Sequence, residues 1–270
     1  MRHVAEHYVV LPVEELAECA RRGRVPKRAL ALTFDDGYRD TLTHAAPILA
    51  RHALPATVFL ATGYIGTSEM PWYDLLALGF KTTSERGVEI APGRILSLGS
   101  TGERLSALQT ALMHLKRLPD VDRQKALGRL LGVLRPSGSQ RLKRVMLDWE
   151  EADALRGLGF SIGAHTIDHP IMSRVAPEAA WGQIHGSKMD IERHLGVSVR
   201  AFAYPNGGSD DYDSTTVDLV ARAGFSCAVT TRRGLNSART PVFELLRGGP
   251  WEQDLPTYAL KLAYYHLAGV

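Results

Sequence analysis

The chain has 270 residues, 45% of them hydrophobic and 23% charged, with a formal net charge of +3 and two cysteines. That length supports a substantial core in one domain, and the small charge, with no basic run and no interleaved aromatic stripe, excludes nucleic acid as a partner. Cys19 and Cys227 lack CxxC spacing and make no disulfide framework, and no segment has the length and apolarity of a membrane span.

The first residues lack the uninterrupted apolar stretch of a secretion signal, so the chain as written reads as cytoplasmic. A gene start further upstream would make it exported or membrane-associated. Residues 8–11 then read as a short strand and residues 13–22 as a helix. Residues 29–34 form an apolar run closed by Asp-Asp-Gly, the pattern of a buried strand. Apolar residues at helical spacing over 41–53 lead to a strand at 56–61. This is the strand, helix, strand order of parallel α/β units.

From about residue 72 to 145 the pattern changes to Leu at helical spacing with Arg and Lys between, and few β-branched clusters. It reads as a helical insertion in a single domain spanning 1–270. Alternation then resumes, with helices at 150–158, 176–195 and 214–223 and strands at 160–164, 200–204 and 226–230. A strand near 242–246 and a helix over 255–266 follow. Cys227 sits in an apolar run and reads as a buried thiol. Such a chain predicts a parallel barrel or an open doubly wound sheet. Either fold puts its site at the carboxyl ends of the strands.

Polar residues collect at those ends: Asp35 and Asp36, His165 and His169, and the turn Tyr204-Pro205-Asn206-Gly207-Gly208. Two histidines four apart and a distant carboxylate make a three-ligand set that leaves room for water on a metal. Zinc suits that set and lowers the pKa of bound water to about 7. Adjacent carboxylates at a strand end point in opposite directions. One of the Asp pair can therefore ligate while the other accepts a proton. The 204–208 turn offers a backbone N–H for an oxyanion. Two histidines and a carboxylate also describe non-haem iron oxygenases, but the order, the spacing and the second Asp argue against that chemistry.

These segments resemble those of polysaccharide deacetylases of carbohydrate esterase family 4, the NodB-homology group. Thr-Phe-Asp-Asp-Gly at 33–37 is the most specific match. His-Thr-Ile-Asp-His at 165–169 fits the His-Ser/Thr-x-x-His motif, and Phe-Ala-Tyr-Pro-Asn-Gly at 202–207 resembles the exopolysaccharide branch. The resemblance implies a distorted (β/α) barrel and metal-dependent removal of N-acetyl groups from amino sugars in a poly- or oligosaccharide or a lipid-linked glycan. It implies Asp35 as general base, Asp36, His165 and His169 as ligands of Zn2+ (or Co2+ or Ni2+), and the Asn206 N–H as oxyanion donor. Many members carry an Arg in the third motif to orient the base. Ala203 stands there in this chain, leaving Arg200 or Arg247 to compensate, with Arg247 favoured.

The family's late histidine, a general acid, has no counterpart in residues 245–250. Either an N-terminal segment bearing it precedes this chain or the acid is lost. His266 is a weak substitute. Asp168 reads as a capping or supporting residue, Tyr38 and Arg39 border the Asp pair, and the remaining histidines read as surface or helix-face residues. Trp72-Tyr73-Asp74 either lines a sugar groove or anchors the insertion. The rival readings are a deacylase or deformylase of another sugar amide or small amide, and a catalytically silent carbohydrate-binding homologue.

Overall fold

In the computed structural model, which describes residues 1–137, 144–248 and 254–268 with side chains as far as residue 264, the apolar run at 29–34 forms two strands rather than one. β2 (Ala29–Leu30) pairs parallel with β1 (Val9–Val10), and β3 (Thr33–Phe34) pairs parallel with β4 (Ala56–Leu60). The run changes partner at Ala31 and Leu32, a switch that hydrophobicity does not record. A first helix, α1 (Arg2–His7), precedes β1 and buries only Val4, so it has no apolar stripe to announce it. α2 (Val13–Arg21) follows Pro12, whose fixed φ suits a helix start.

The chain divides into two compact units, Met1–Thr67 with Met146–Val270, and Ser68–Val145. In the first, a π-helical turn over Thr41–Ala45 leads into α3 (Ala46–Ala50). Pro47 has no N–H to give to the preceding turn. Then come α7 (Trp149–Gly157), β7 (Phe160–Ala164), α8 (Pro177–Leu195), β8 (Ala201–Ala203), α9 (Ser214–Arg222) and β9 (Cys227–Val229), with α10 (Leu255–Ala268) last. The strands β3-β4-β7-β8-β9 form one all-parallel sheet in that order. Among the described residues no ladder joins β3 to β9. The fold is a parallel half-barrel rather than a closed ring.

The strand expected near 242–246 is instead an irregular segment beginning at Pro241. It touches β9 through the bridge Val229 to Leu245 and the bonds Thr230 N to Leu245 O and Ala228 N to Val242 O. Proline at its start removes a ladder donor.

Buried aliphatic and aromatic side chains, among them Leu49, Val58, Leu60, Phe160, Ile184, Phe202 and Tyr204, form the main core of this unit. A second cluster joins Val13 and Ala17 of α2 to Phe59, Ala201, Ala203, Cys227 and Val229. Phe59 fits because Gly163, beside it on β7, has no side chain. A Cβ there would meet the Phe59 ring at 2.4 Å.

The second unit, labelled in its own chain order, holds α4 (Trp72–Thr82), β5 (Gly87–Ala91), β6 (Arg94–Ser97), α5 (Thr101–Arg117) and α6 (Asp120–Leu134). The expected all-helical stretch is therefore interrupted by an antiparallel hairpin. The alternation Val88-Glu89-Ile90 and the turn pair Pro92-Gly93, with Gly93 at φ +74, carry that signal within only a few residues. The unit has its own core of Trp72, Leu76, Phe80, Val88, Ile90, Leu98 and the inner faces of α5 and α6. Trp72 is buried there with the Arg123 guanidinium 4.9 Å over its ring, so its face is not open to a sugar. Among the described residues no helix is long and apolar enough to cross a membrane.

Candidate active site

Because the five strands run parallel, residues that follow them share one edge of the sheet. β3 ends at Phe34 and delivers Asp35 and Asp36, and β7 ends at Ala164 and delivers His165. β8 ends at Ala203 before Tyr204-Pro205-Asn206-Gly207, and β9 ends at Val229 before Thr230 and Thr231. Here lie four of the seven described non-glycine residues with positive φ: Asp36, Thr166, His169 and Asn206. Such conformations cost energy and persist where the surroundings over-determine them, commonly at working sites.

Asp36 is the centre of a tight turn in which Gly37 N donates to Asp35 O at 2.9 Å, with Asp36 at φ +72. The two carboxylates do diverge. The cause is this left-handed turn and not strand alternation, since the strand has already ended. Asp36 Oδ1 lies 3.3 Å from His165 Nε2 and 3.3 Å from His169 Nε2. The three ligand atoms lie within 4.8 Å of one another. Both imidazoles are buried and meet edge to face, with centroids 4.8 Å apart.

The histidine loop is built to hold that pose. His165 N donates to Leu60 O, and His165 Nδ1 lies 2.7 Å from the carbonyl oxygen of Ala203. A carbonyl only accepts, so Nδ1 carries a proton, and Nε2 is the nitrogen that faces Asp36 Oδ1. The Thr166 hydroxyl donates to His165 O and accepts from His169 N, bracing the turn between the ligands. Gln183 Oε1 accepts from the N–H groups of Ile167 and Asp168, while its amide donates to Asp168 Oδ2. Asp168 thus supports the loop and stays out of the ligand set.

Asp35 turns the other way. Its two carboxylate oxygens each accept from Arg247 at 2.7 Å, a bidentate pair. Arg247 is itself held by Thr230 O at 2.7 Å and Thr33 Oγ1 at 3.2 Å, with its charge 6.0 Å over the Phe59 ring. Of the two arginines weighed from sequence, Arg247 reaches Asp35, whereas Arg200 precedes β8 and stands at the opposite edge. The Asp35 side chain keeps 27% exposure, so solvent reaches the carboxylate.

Burial pushes the Asp35 carboxyl up, but the charge and hydrogen bonds of Arg247 outweigh it and hold the group below the ordinary carboxylate range. Two imidazoles share one Asp36 oxygen, so a proton on one repels a proton on the other. Despite burial, the hydrogen bond to Asp36 and the two carboxylate charges favour it on His165. Burial and the neighbouring His165 push His169 down to about 3. His169 is then a neutral imidazole at pH 7. Two imidazole nitrogens and a carboxylate oxygen converging on one point are the donor set of a zinc-type site, so these residues fit the metal.

Asn206 lies just past β8 at φ +60, inside a turn closed by Gly207 N donating to Pro205 O at 2.7 Å. Tyr38 bridges to Met146, and Arg39 pairs with Glu151 at 2.7 Å. His3, His7, His44, His52, His114, His185 and His194 are none of them buried. The His266 side chain, Gly249 and Pro250 lie outside the described residues. The roles of Thr166 and Gln183 were missed from the sequence, where nothing but their spacing from His165 could have pointed to them.

The family profile described as polysaccharide deacetylase matches residues 22–93 and 116–228. The poly-beta-1,6-N-acetyl-D-glucosamine N-deacetylase of Staphylococcus aureus (strain MSSA476) is 31% identical over 67 residues, 25% of this chain and 23% of that protein. The enzyme of the same description from Staphylococcus epidermidis is 33% identical over 67 residues. The match thus spans less than a quarter of these curated relatives. In fold, the chain resembles the Streptococcus pyogenes deacetylase PplD solved with acetate (TM-score 0.64, 20% identity, 97% of this chain and 82% of that one). It also resembles IcaB from Ammonifex degensii (TM-score 0.59, 17% identity, 98% and 88% covered).

Proposed function

This chain belongs to the polysaccharide deacetylase family, and from that premise we propose that it is a zinc-dependent hydrolase that removes N-acetyl groups from N-acetylated amino sugars in a glycan. The observation that carries the reading is the pairing of two devices at one strand edge. A bidentate Arg247 keeps Asp35 ionised, beside Asp36, His165 and His169 converging on one point.

Asp36, His165 and His169 would hold the metal. Bound there, zinc supplies Lewis acidity toward a carbonyl oxygen and lowers the pKa of water. The rest falls to the chain's own groups. Asp35, ionised at neutral pH, takes a proton from the attacking water. The Asn206 N–H donates to the oxyanion that forms on the acetamide. Cleavage of the C–N bond yields acetate and a free amine. Asp35 holds the proton it removed and can return it to the leaving nitrogen. The low proton affinity that Arg247 imposes favours that return.

The test is acetate release from N-acetylglucosamine oligomers by zinc-loaded protein. We expect release that Asp35→Asn lowers by about 10²–10⁴-fold, the usual range for a positioned acid–base group. Equal release by the variant would remove Asp35 from the chemistry. No release by the wild type would count against the acetyl-glycan reading.

A further inference from the structure

We propose that Thr231 is a positioning residue, holding the Asn206 turn so that its N–H faces the reacting carbonyl; this rests on the deacetylase reading given above. The Asn206 turn is unlike an ordinary strand end. Its i to i+2 hydrogen bond, Gly207 N to Pro205 O, with a positive φ at the central residue defines a γ-turn of the rare, strained kind. Such a turn points the N–H of its central residue outward, which is what an oxyanion donor needs. It does not hold that shape unaided.

Thr231 supplies the hold from the neighbouring strand end. Its hydroxyl donates to Asn206 O, and its N–H donates to Gly207 O at 3.0 Å. Two successive carbonyls of the turn are therefore gripped by one residue. The approach is close enough that a Cβ at Gly207 would lie 2.7 Å from Thr231 N and 3.1 Å from Tyr204 O. Only glycine at φ +66 admits the clasp. Thr231 is itself exposed and buries nothing of the core, so packing gives no reason for its hydroxyl.

The same strand end also grips the other half of the site. Thr230 O accepts from Arg247 Nε at 2.7 Å, and Arg232 O accepts from Arg247 N at 3.0 Å. Residues 230–232 thus hold the arginine that orients Asp35 on one side and the turn that carries the oxyanion donor on the other. This gives the two devices a common frame, which matters because a misplacement of about 1 Å can cost on the order of 100-fold in rate.

The experiment compares Thr231→Val, which removes the hydroxyl, with Thr231→Ser, which keeps it. Acetate release from N-acetylglucosamine oligomers, the thermal midpoint, and exchange of the Gly207 amide in the metal-free protein are measured for each. We expect Thr231→Val to lower kcat by about 10- to 100-fold, with KM and the thermal midpoint unchanged and Gly207 exchange faster. Thr231→Ser should keep both kcat and Gly207 exchange at their wild-type values. Wild-type kcat in the Val variant, or equal losses in both variants, would overturn the inference and leave the deacetylase reading standing. A wild type that releases no acetate defeats that reading instead. The exchange measurement then decides alone, and unchanged Gly207 exchange in the Val variant overturns the clasp.

Discussion

Burial pushes the Asp35 carboxyl's pKa up, and the bidentate Arg247 outweighs it and turns the net shift downward. Activity that needs ionised Asp35 falls as pH drops through its pKa. In Arg247→Ala the burial remains and the counter-charge is gone, so that pKa rises. The acidic limb of the kcat profile should then move to higher pH, which a pH series on both proteins would measure. The pair's contribution to stability is present above the unfolded carboxyl's pKa and fades as pH falls toward the folded one. Arg247→Lys keeps the charge but loses the fork, so it should recover the pH profile better than the rate. Gly163 is a second residue with a single reason. A methyl there meets Phe59 at 2.4 Å, so Gly163→Ala should cost about 1–3 kcal/mol in urea unfolding. Phe59→Leu in the same chain should return part of that cost.

Among the elements, α7 carries the clearest local signal. Asp148 accepts from Glu151 N at 2.7 Å while the Glu151 side chain accepts from Asp148 N at 3.1 Å, a reciprocal capping box. Asp148→Ala should cost about 1 kcal/mol of stability, read from the denaturation midpoint. Elements with such strong local chemistry were legible from sequence. β7 and α8 fall where their apolar periods put them, to within a residue. The misses share a cause. The 29–34 run holds two strands because it changes partners, the 242–246 segment is a bridge because Pro241 limits its pairing, and the β5–β6 hairpin interrupts a helical pattern over few residues. Pairing is not a property of a segment alone. The turn at Asp36 adds another case, since the divergence of the two carboxylates follows from a positive φ that no alternation rule contains.

For the whole molecule, the ligand loop is braced by β4, β8 and α8 through the chain's own hydrogen bonds. His165 rests on Leu60 and Ala203, and the loop on Gln183. The fold should therefore survive chelation, with far-UV circular dichroism unchanged. Zinc, binding the native state in preference to the unfolded one, should raise the thermal midpoint of the wild type in a concentration-dependent way. His165→Ala should abolish most of that rise, and an equal rise in the variant would place the metal elsewhere. What the sequence determined by itself was the chemistry available. It supplied Asp35, Asp36, His165, His169 and the 204–207 turn, each at the end of an apolar run, because local periodicity and short motifs are written in adjacent residues. What only the tertiary structure decided was who meets whom. Arg247 lies more than 200 positions from Asp35 in the chain and 2.7 Å from it in space. Thr231 finds the Asn206 carbonyl only because β8 and β9 lie side by side. Those contacts depend on strand order and register, set by burial summed over the whole sheet, and no stretch of neighbouring residues contains that sum.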